Sequence, residues 1–188
     1  RSEPLFELRR AGRFLVAELK GGHNVISTSV RHGGWAEHLG WLVNHQSCEG
    51  TAHLDRHRVI AEAGMESYHD RVCEEAGLPA DRTAVMGTAA NMNYVAIARE
   101  CDDDVSVTAA VTAGVEGNAT SAGEPATWRE TDAGMQKVPV YAGTINTMLL
   151  INRPLTPAAL ARVVVTMTEG KTAALQRLAV PSKLHIDL

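Results

Sequence analysis

The sequence is poor in aromatic side chains, in cysteine and in long apolar runs. Aromatic residues make up 4% of the 188 residues, so aliphatic side chains have to build most of the core. The cysteines, Cys48, Cys73 and Cys101, are widely spaced and form no C-x-x-C pair, which argues against a disulfide framework. No apolar run approaches the roughly 20 residues of a membrane span. We therefore expect a cytoplasmic protein with reduced thiols and no membrane partner.

The charge balance also lacks an excess of basic residues. Lysine and arginine number 18 against 22 aspartates and glutamates, whereas a nucleic-acid surface needs a basic stripe. The one histidine cluster, HLDRH at 53–57, lacks the glutamate that follows the first histidine in zinc proteases. We therefore expect neither a nucleic-acid partner nor a protein-bound metal.

Hydrophobic patterning predicts a single mixed domain over residues 1–188, either α/β or α+β, with a central sheet of buried strands flanked by at least two long helices. The run at 105–113 is almost continuously apolar or β-branched, which favours a strand buried on both faces. A strand pair joined at Gly21-Gly22 is typical of a hairpin. The predicted strands are 13–20, 24–30, 41–45, 83–89, 94–99, 105–113 and 144–151; the predicted helices are 58–76 and 156–178, and 124–138 is predicted to be a surface loop.

Glycine, threonine, asparagine and serine concentrate where two predicted strands begin or end. The segments are VTAGVEGNATSAG at 111–123 and GTINTMLLIN at 143–152. Such segments carry few bulky side chains and leave backbone N–H groups free to face a ligand. They predict a binding or catalytic cleft at the strand ends.

An ordered set of motifs from about residue 25 to 180 resembles the adenosylcobinamide amidohydrolase family. Besides the two segments above, the motifs are VISTSVRHGG (25–34), LVNHQ (42–46), RPLTPAAL (153–160) and TEGKTAAL (168–175). The resemblance implies hydrolysis of the amide between the aminopropanol arm and the corrin ring, releasing adenosylcobyric acid in corrinoid salvage. It also implies a corrinoid substrate that brings its own cobalt, so we expect no separate cofactor; a homo-oligomer is compatible with it.

The sequence departs from the family pattern in two places. Gly170 stands where the family usually has alanine in its helical motif. The family normally continues past Leu188 with a Gly- and Thr-rich segment ending in aspartate, and we expect this chain to lack that segment.

Amide hydrolysis needs a nucleophile, donors for the developing oxyanion and an acid for the leaving amine. His45 is the best acid–base candidate, because histidine exchanges protons near neutral pH. Thr112 and Thr144 are the favoured hydroxyl nucleophiles, with direct attack by water as the alternative. No G-x-S-x-G elbow is present, which disfavours an α/β-hydrolase. Within the family-matched helix we favour Glu169 as base or orienting group.

Small and polar residues of the same motifs are the candidate substrate contacts. Glycines let the backbone approach a ligand closely, and asparagines donate to an oxyanion or to the amide rim of a corrin; turn capping is their ordinary alternative role. Lys171 lies two residues after Glu169, so the two do not share a helix face. The predicted contacts are Ser27, Gly33, Gly34, Asn44, Gly114, Asn118, Asn146 and Lys171.

Other functions remain open at this point. One alternative is that this protein is an enzyme of the same fold that acts on a different amide. A second is that it is a corrinoid-binding module that has lost turnover, since fold alone does not fix function. A third alternative is the first chain of an autoprocessed amidase, whose N-terminal nucleophile belongs to a second chain.

Overall fold

The computed structural model describes residues 5–47, 62–115, 128–131, 134–137 and 144–180. Within these ranges the chain forms strands and two helices, α1 and α2. The strands are β1 Phe6–Ala11, β2 Phe14–Ser27, β3 Gly34–Gln46, β4 Thr83–Thr88, β5 Ala96–Asp102, β6 Val105–Gly114, β7 Trp128–Thr131, β8 Gly134–Lys137 and β9 Thr144–Ile151; the helices are α1 Met65–Ala76 and α2 Pro157–Arg177.

The strands form two main sheets and a separate hairpin. The first sheet has the order β1-β2-β3-β4, in which only β3 and β4 run parallel. The second is the antiparallel sheet β5-β6-β9, and β7 pairs with β8. A parallel pair needs a long crossover connection, and α1 lies in the connection between β3 and β4. The described fold is α+β, and the predicted central sheet with two flanking helices is matched in part.

Alternating side chains divide the core into two apolar layers. One face of the first sheet packs against β6 and β9 of the second sheet, through residues such as Leu15, Leu39 and Met148. The opposite face packs against α1, through residues such as Val43 and Val72. Since successive side chains of a strand point to opposite faces, neighbours on β3 enter different layers.

The predicted helix over 58–76 is interrupted at Gly64, because residues 62–63 and 65–76 are helical and Gly64 is not. Gly64, at φ 84° and ψ 153°, precedes α1, and Gly77 closes it in the left-handed conformation. Residues 58–61 of the predicted helix lie outside the described residues. The boundaries of α2 are confirmed: the hydroxyl of Thr156 accepts from the amide of Ala159, and Pro157 opens the helix.

The role of α2 differs from that of a core helix. Its apolar stripe includes Leu160, Val163 and Met167, which are half-buried, and none of its residues is buried. Val164 and Val165 are exposed. The helix therefore has an apolar face but adds no side chain to either core layer.

Most predicted strands are confirmed, and the exceptions have local causes. The hairpin at Gly21-Gly22 is wrong, because both glycines adopt positive φ inside the long strand β2 and produce register irregularities instead of a turn. The predicted burial of β6 on both faces is wrong: even-numbered residues such as Thr108 and Ala110 are buried, and odd-numbered ones are half-exposed. Strand β1 is absent from the prediction, and β7 and β8 occupy part of the predicted loop 124–138.

The turn from β2 to β3 is held by its own backbone and hydroxyl groups. The Ser27 hydroxyl donates to the carbonyl of His32, and the Ser29 hydroxyl donates to that of Arg31. A Cβ atom at Gly33 would lie 2.3 Å from the Ser29 carbonyl oxygen, so only glycine fits the turn there. Arg31 then pairs with Glu66 and Asp70 of α1, which ties the turn to the helix.

Gly33→Ala should therefore lower the free energy of unfolding by more than about 1 kcal/mol, since the added methyl group forces the turn apart. Gly170→Ala is the matched control. No atom of the described residues outside the helix's own backbone lies within 4 Å of a Cβ at Gly170, so alanine should stabilise the exposed helix by about 0.5–1 kcal/mol. Urea denaturation measures both changes, and effects of the same sign would contradict this description of the turn.

Candidate active site

The carboxyl ends of β3 and β4 lie side by side, because these strands run parallel and pair as far as Gln46 and Thr88. The end of β6 and the start of β9 meet nearby, since Thr112 pairs with Asn146 in the second sheet. Family-matched residues thus come to one edge of the layered core, called here the carboxyl edge. The carboxyl ends of parallel strands are a common position for ligand sites.

A chain of polar groups, which includes the buried side chains of Asn44, Thr112 and Asn146, joins the two sheets at this edge. Asn44 Nδ2 lies 2.8 Å from Thr112 Oγ1, and Asn146 Nδ2 lies 2.8 Å from Asn44 Oδ1. Asn146 Nδ2 also lies 3.1 Å from the carbonyl oxygen of Gly87, and Thr144 Oγ1 lies 2.9 Å from Asn146 Oδ1. We call these residues, Asn44, Gly87, Thr112, Thr144 and Asn146, the amide chain.

The direction of each hydrogen bond in the amide chain follows from the Gly87 carbonyl. A carbonyl oxygen only accepts, so the group of Asn146 that faces it must be the NH₂ group. That NH₂ group then also donates to Asn44 Oδ1, which turns the NH₂ group of Asn44 toward Thr112. Thr112 accepts, and Thr144 donates to Asn146 Oδ1. The polar groups thereby satisfy one another inside an otherwise apolar layer.

This arrangement bears on the threonine candidates. Thr112 is 1% exposed and its oxygen already accepts a hydrogen bond, which draws electron density away from a would-be nucleophile. Among the described residues, no histidine or carboxylate is hydrogen-bonded to it. Thr144 is half-buried and donates its proton within the amide chain. The nucleophilic role of either hydroxyl stays a prediction.

His45 follows Asn44 and therefore points to the opposite face of the sheet, toward α1. It is 1% exposed, and its Nδ1 atom lies 2.8 Å from the hydroxyl of Tyr68. The ring of Phe14 stacks on it at a centroid distance of 4.7 Å. In register, His45 stands beside Gly87 of β4. Gly87 thus adjoins the imidazole on one face and the amide chain on the other.

The remaining predicted contacts lie in several places. Ser27, Gly33 and Gly34 belong to the turn between β2 and β3, where Gly34 has φ 71°. Gly114 ends β6, and a Cβ atom there would meet Ala90 at the ordinary contact distance of 3.6 Å. Asn118 lies outside the described residues. The substrate-binding role of these residues is not tested by the geometry.

Glu169 and Lys171 are exposed on α2. Within the described residues, no hydrogen bond or ion pair joins Glu169 to the amide chain or to His45. The structure therefore brings together Asn44, His45, Thr112, Thr144 and Asn146, while Glu169 remains a separate candidate.

A second polar cluster lies on α1, away from the amide chain. The Arg31 guanidinium donates to Asp70 and lowers the pKa of that carboxyl group. Burial raises the pKa of the Cys73 thiol, which lies 3.9 Å from the His69 ring nitrogens. His69 Nε2 faces the carbonyl of Thr83 at 2.9 Å and must donate to it. Cys73 is thus held as a buried thiol, and the cluster ties α1 to β4 and to the turn.

Sequence reasoning did not identify Tyr68 or Gly87. Tyr68 lies inside a predicted helix, where an aromatic residue is ordinarily a core residue, and Gly87 lies inside a predicted strand. The one available signal was Gly87 itself, because glycine inside a strand marks a close approach by another group.

Among the described residues, no group of three or more His, Cys, Asp or Glu side chains is arranged to hold a metal ion. The HLDRH segment lies outside those residues. None of the described helices has both the length and the apolarity to span a membrane.

Asn146→Ala should lower the free energy of unfolding by about 1–3 kcal/mol, because it removes the donor from the buried Asn44 Oδ1 and from the carbonyl of the exposed Gly87. Asn91→Ala is the control, since Asn91 caps an exposed turn through one side-chain hydrogen bond and should cost less. Chemical denaturation measures both variants. Equal losses would contradict the buried amide chain.

Comparisons with known proteins agree with the motif pattern. An uncharacterised protein of Methanocaldococcus jannaschii is 35% identical over 131 residues, which cover 65% of this chain and 51% of that protein. This chain thus spans about half the length of that relative. No solved structure matches. The profile of the CbiZ family, adenosylcobinamide amidohydrolase, matches residues 3–187. The chain belongs to the adenosylcobinamide amidohydrolase family.

Proposed function

We propose that this protein hydrolyses the amide that links aminopropanol to the corrin ring of adenosylcobinamide. Family membership supports the reaction class. The observation that carries the proposal is the meeting of His45 and the amide chain on either side of Gly87, at the carboxyl edge. A proton-transfer group and oriented amides at one edge are what amide hydrolysis requires.

The reaction needs a water molecule as nucleophile, a group that carries its proton to the leaving amine, and hydrogen-bond donors for the developing oxyanion. The oxygen of water bonds to the carbonyl carbon of the substrate while its proton passes to His45. The carbon–nitrogen bond then breaks, and the leaving amine takes a proton from the imidazolium. The products are a corrinoid carboxylate and aminopropanol. We propose attack by water because Thr112 accepts a hydrogen bond and has no described base beside it.

Substrate recognition would use the polar residues of the family motifs. A corrinoid presents a broad apolar face and a rim of carboxamides, which pair with amide and hydroxyl side chains. Asn146 Nδ2 already donates twice within the amide chain, so we propose the oxygens Asn146 Oδ1 and Oγ1 of the half-buried Thr144, which opens β9, as acceptors for the N–H of the scissile amide. The cobalt arrives as part of the substrate, so the proposed reaction asks for no metal of the protein's own.

His45→Gln should lower kcat by roughly a hundredfold or more, because glutamine does not carry a proton. Release of aminopropanol from adenosylcobinamide, followed by mass spectrometry, measures it. Glu169→Gln tests the second proposed proton carrier in the same assay, with the exposed Glu75→Gln on α1 as its control. Binding without release by the wild-type protein would instead support a corrinoid-binding module. Near-wild-type turnover of His45→Gln would contradict the assigned role.

Thr112→Val separates attack by water from attack by the threonine hydroxyl. If water attacks, valine should lower kcat by less than about tenfold, through loss of one acceptor in the amide chain. A Thr112 nucleophile would instead make turnover undetectable, because no covalent intermediate forms. Thr108→Val is the matched control, since Thr108 is also buried on the same face of β6. Both variants should be compared at equal folded fraction.

A further inference from the structure

We infer that Tyr68 is a positioning residue for His45, holding the imidazole by its Nδ1 atom and leaving proton transfer to Nε2. The inference rests on the proposed function, in which His45 moves the proton. Tyr68 comes from α1 and reaches β3 across the apolar layer between helix and sheet. Its hydroxyl lies 2.8 Å from Nδ1, and both side chains are buried.

The imidazole is restrained on several sides. Phe14 of β2 stacks on the ring with an interplanar angle of 28°. The Tyr68 ring is tilted against it at a centroid distance of 5.8 Å, with the hydroxyl aimed at Nδ1. Stacking alone lets a ring rotate in its own plane, whereas one hydrogen bond fixes which nitrogen faces which way. Tyr68 therefore supplies the rotational restraint that Phe14 does not.

A phenol is suited to a group that gains and loses a proton. Because the proposed transfer uses Nε2, Nδ1 carries a proton in both the imidazole and the imidazolium, and the Tyr68 hydroxyl oxygen accepts from it in both states. A carboxylate in that position would also accept, but its negative charge would favour the charged imidazolium. Tyr68 thus keeps the ring orientation through a cycle in which His45 takes a proton from water and returns it to the amine.

Gly87 fixes the position of the phenol from the other side. A Cβ atom at residue 87 would lie 2.8 Å from the Tyr68 hydroxyl oxygen and 3.3 Å from Cζ, closer than side chains pack. The carbonyl of the same residue accepts from Asn146. The absence of a side chain at Gly87 is therefore what lets the hydroxyl reach Nδ1, and it couples the imidazole's support to the amide chain.

Tyr68→Phe keeps the ring and removes the hydroxyl. We expect kcat for aminopropanol release to fall by roughly tenfold to a hundredfold, because a misoriented imidazole reaches the reacting atoms less often, with KM changed by less than about threefold. Tyr94→Phe is the matched control and should leave both constants unchanged, since Tyr94 is 83% exposed. Gly87→Ala is a second route to the same loss, because it displaces the hydroxyl with both side chains present. An unchanged kcat in Tyr68→Phe would overturn the inference.

A double variant distinguishes positioning from general stability. If Tyr68 acts through His45, then His45→Gln/Tyr68→Phe should turn over within about twofold of His45→Gln alone. A further loss comparable to that of Tyr68→Phe in the wild-type background would indicate an independent structural effect and contradict the inference.

Nitrogen NMR of the imidazole reports on the contact without any turnover. In ¹⁵N-histidine-labelled protein, the His45 Nδ1 resonance should move in Tyr68→Phe and stay in place in Tyr94→Phe. An unmoved Nδ1 resonance would overturn the inference. Failure of the wild-type protein to release aminopropanol would instead overturn the proposed function, so the two failures are distinguishable.

Discussion

A backbone carbonyl can only accept hydrogen bonds, and the one at Gly87 sets the order of the polar contacts between the two sheets. It fixes the orientation of Asn146, which fixes Asn44, which makes Thr112 an acceptor. Asn44, Thr112 and Asn146 are buried in a layer that is otherwise apolar, where an unmatched polar group is costly. The candidate site is therefore built around amides whose N–H groups already have acceptors. The proposed proton transfer comes from His45, which lies outside the amide chain.

The alternation of side chains along β3 explains the two-sided character of the site. Asn44 enters the layer between the sheets, and His45 enters the layer below α1. The two family-matched neighbours thus have different surroundings, amides on one side and aromatic rings on the other. The two environments adjoin at Gly87 of the parallel strand β4, which pairs in register with His45 and whose carbonyl accepts from Asn146 of the amide chain.

Much of the fold was predictable, because local chemistry determines it. Thr156 and Pro157 mark the start of α2, and the β-branched run at β9 predicts its strand. The errors arose where local signals compete with tertiary pairing. Gly21 and Gly22 are typical of a turn, yet pairing with β3 keeps β2 continuous. Strand β1 is half-polar, and its pairing with β2 determines its conformation more than its own pattern does.

The candidate site was predictable in its residue types and not in its contacts. The family-matched motifs indicated Asn44, Thr112 and Asn146, which are hydrogen-bonded to one another in the structure, while their role in binding or catalysis stays a prediction. Their mutual contacts join residues 68 and 102 positions apart, which no local pattern encodes. The partner of His45 was hidden for the same reason, since Tyr68 in sequence is one apolar position of a helix.

The long sequence separation of the amide chain also makes it a check on correct folding. Both faces of β9 carry aliphatic side chains, such as Met148 and Leu149, so apolar burial alone only weakly distinguishes its native register from a one-residue slip. A slip of β9 by one residue would put Ile145 or Thr147 where Asn146 stands, and neither has the two N–H donors that Asn146 gives to Asn44 and the Gly87 carbonyl. The polar contacts of the amide chain thus select the native alignment of the two sheets, although burial of aliphatic side chains supplies most of the free energy of their packing.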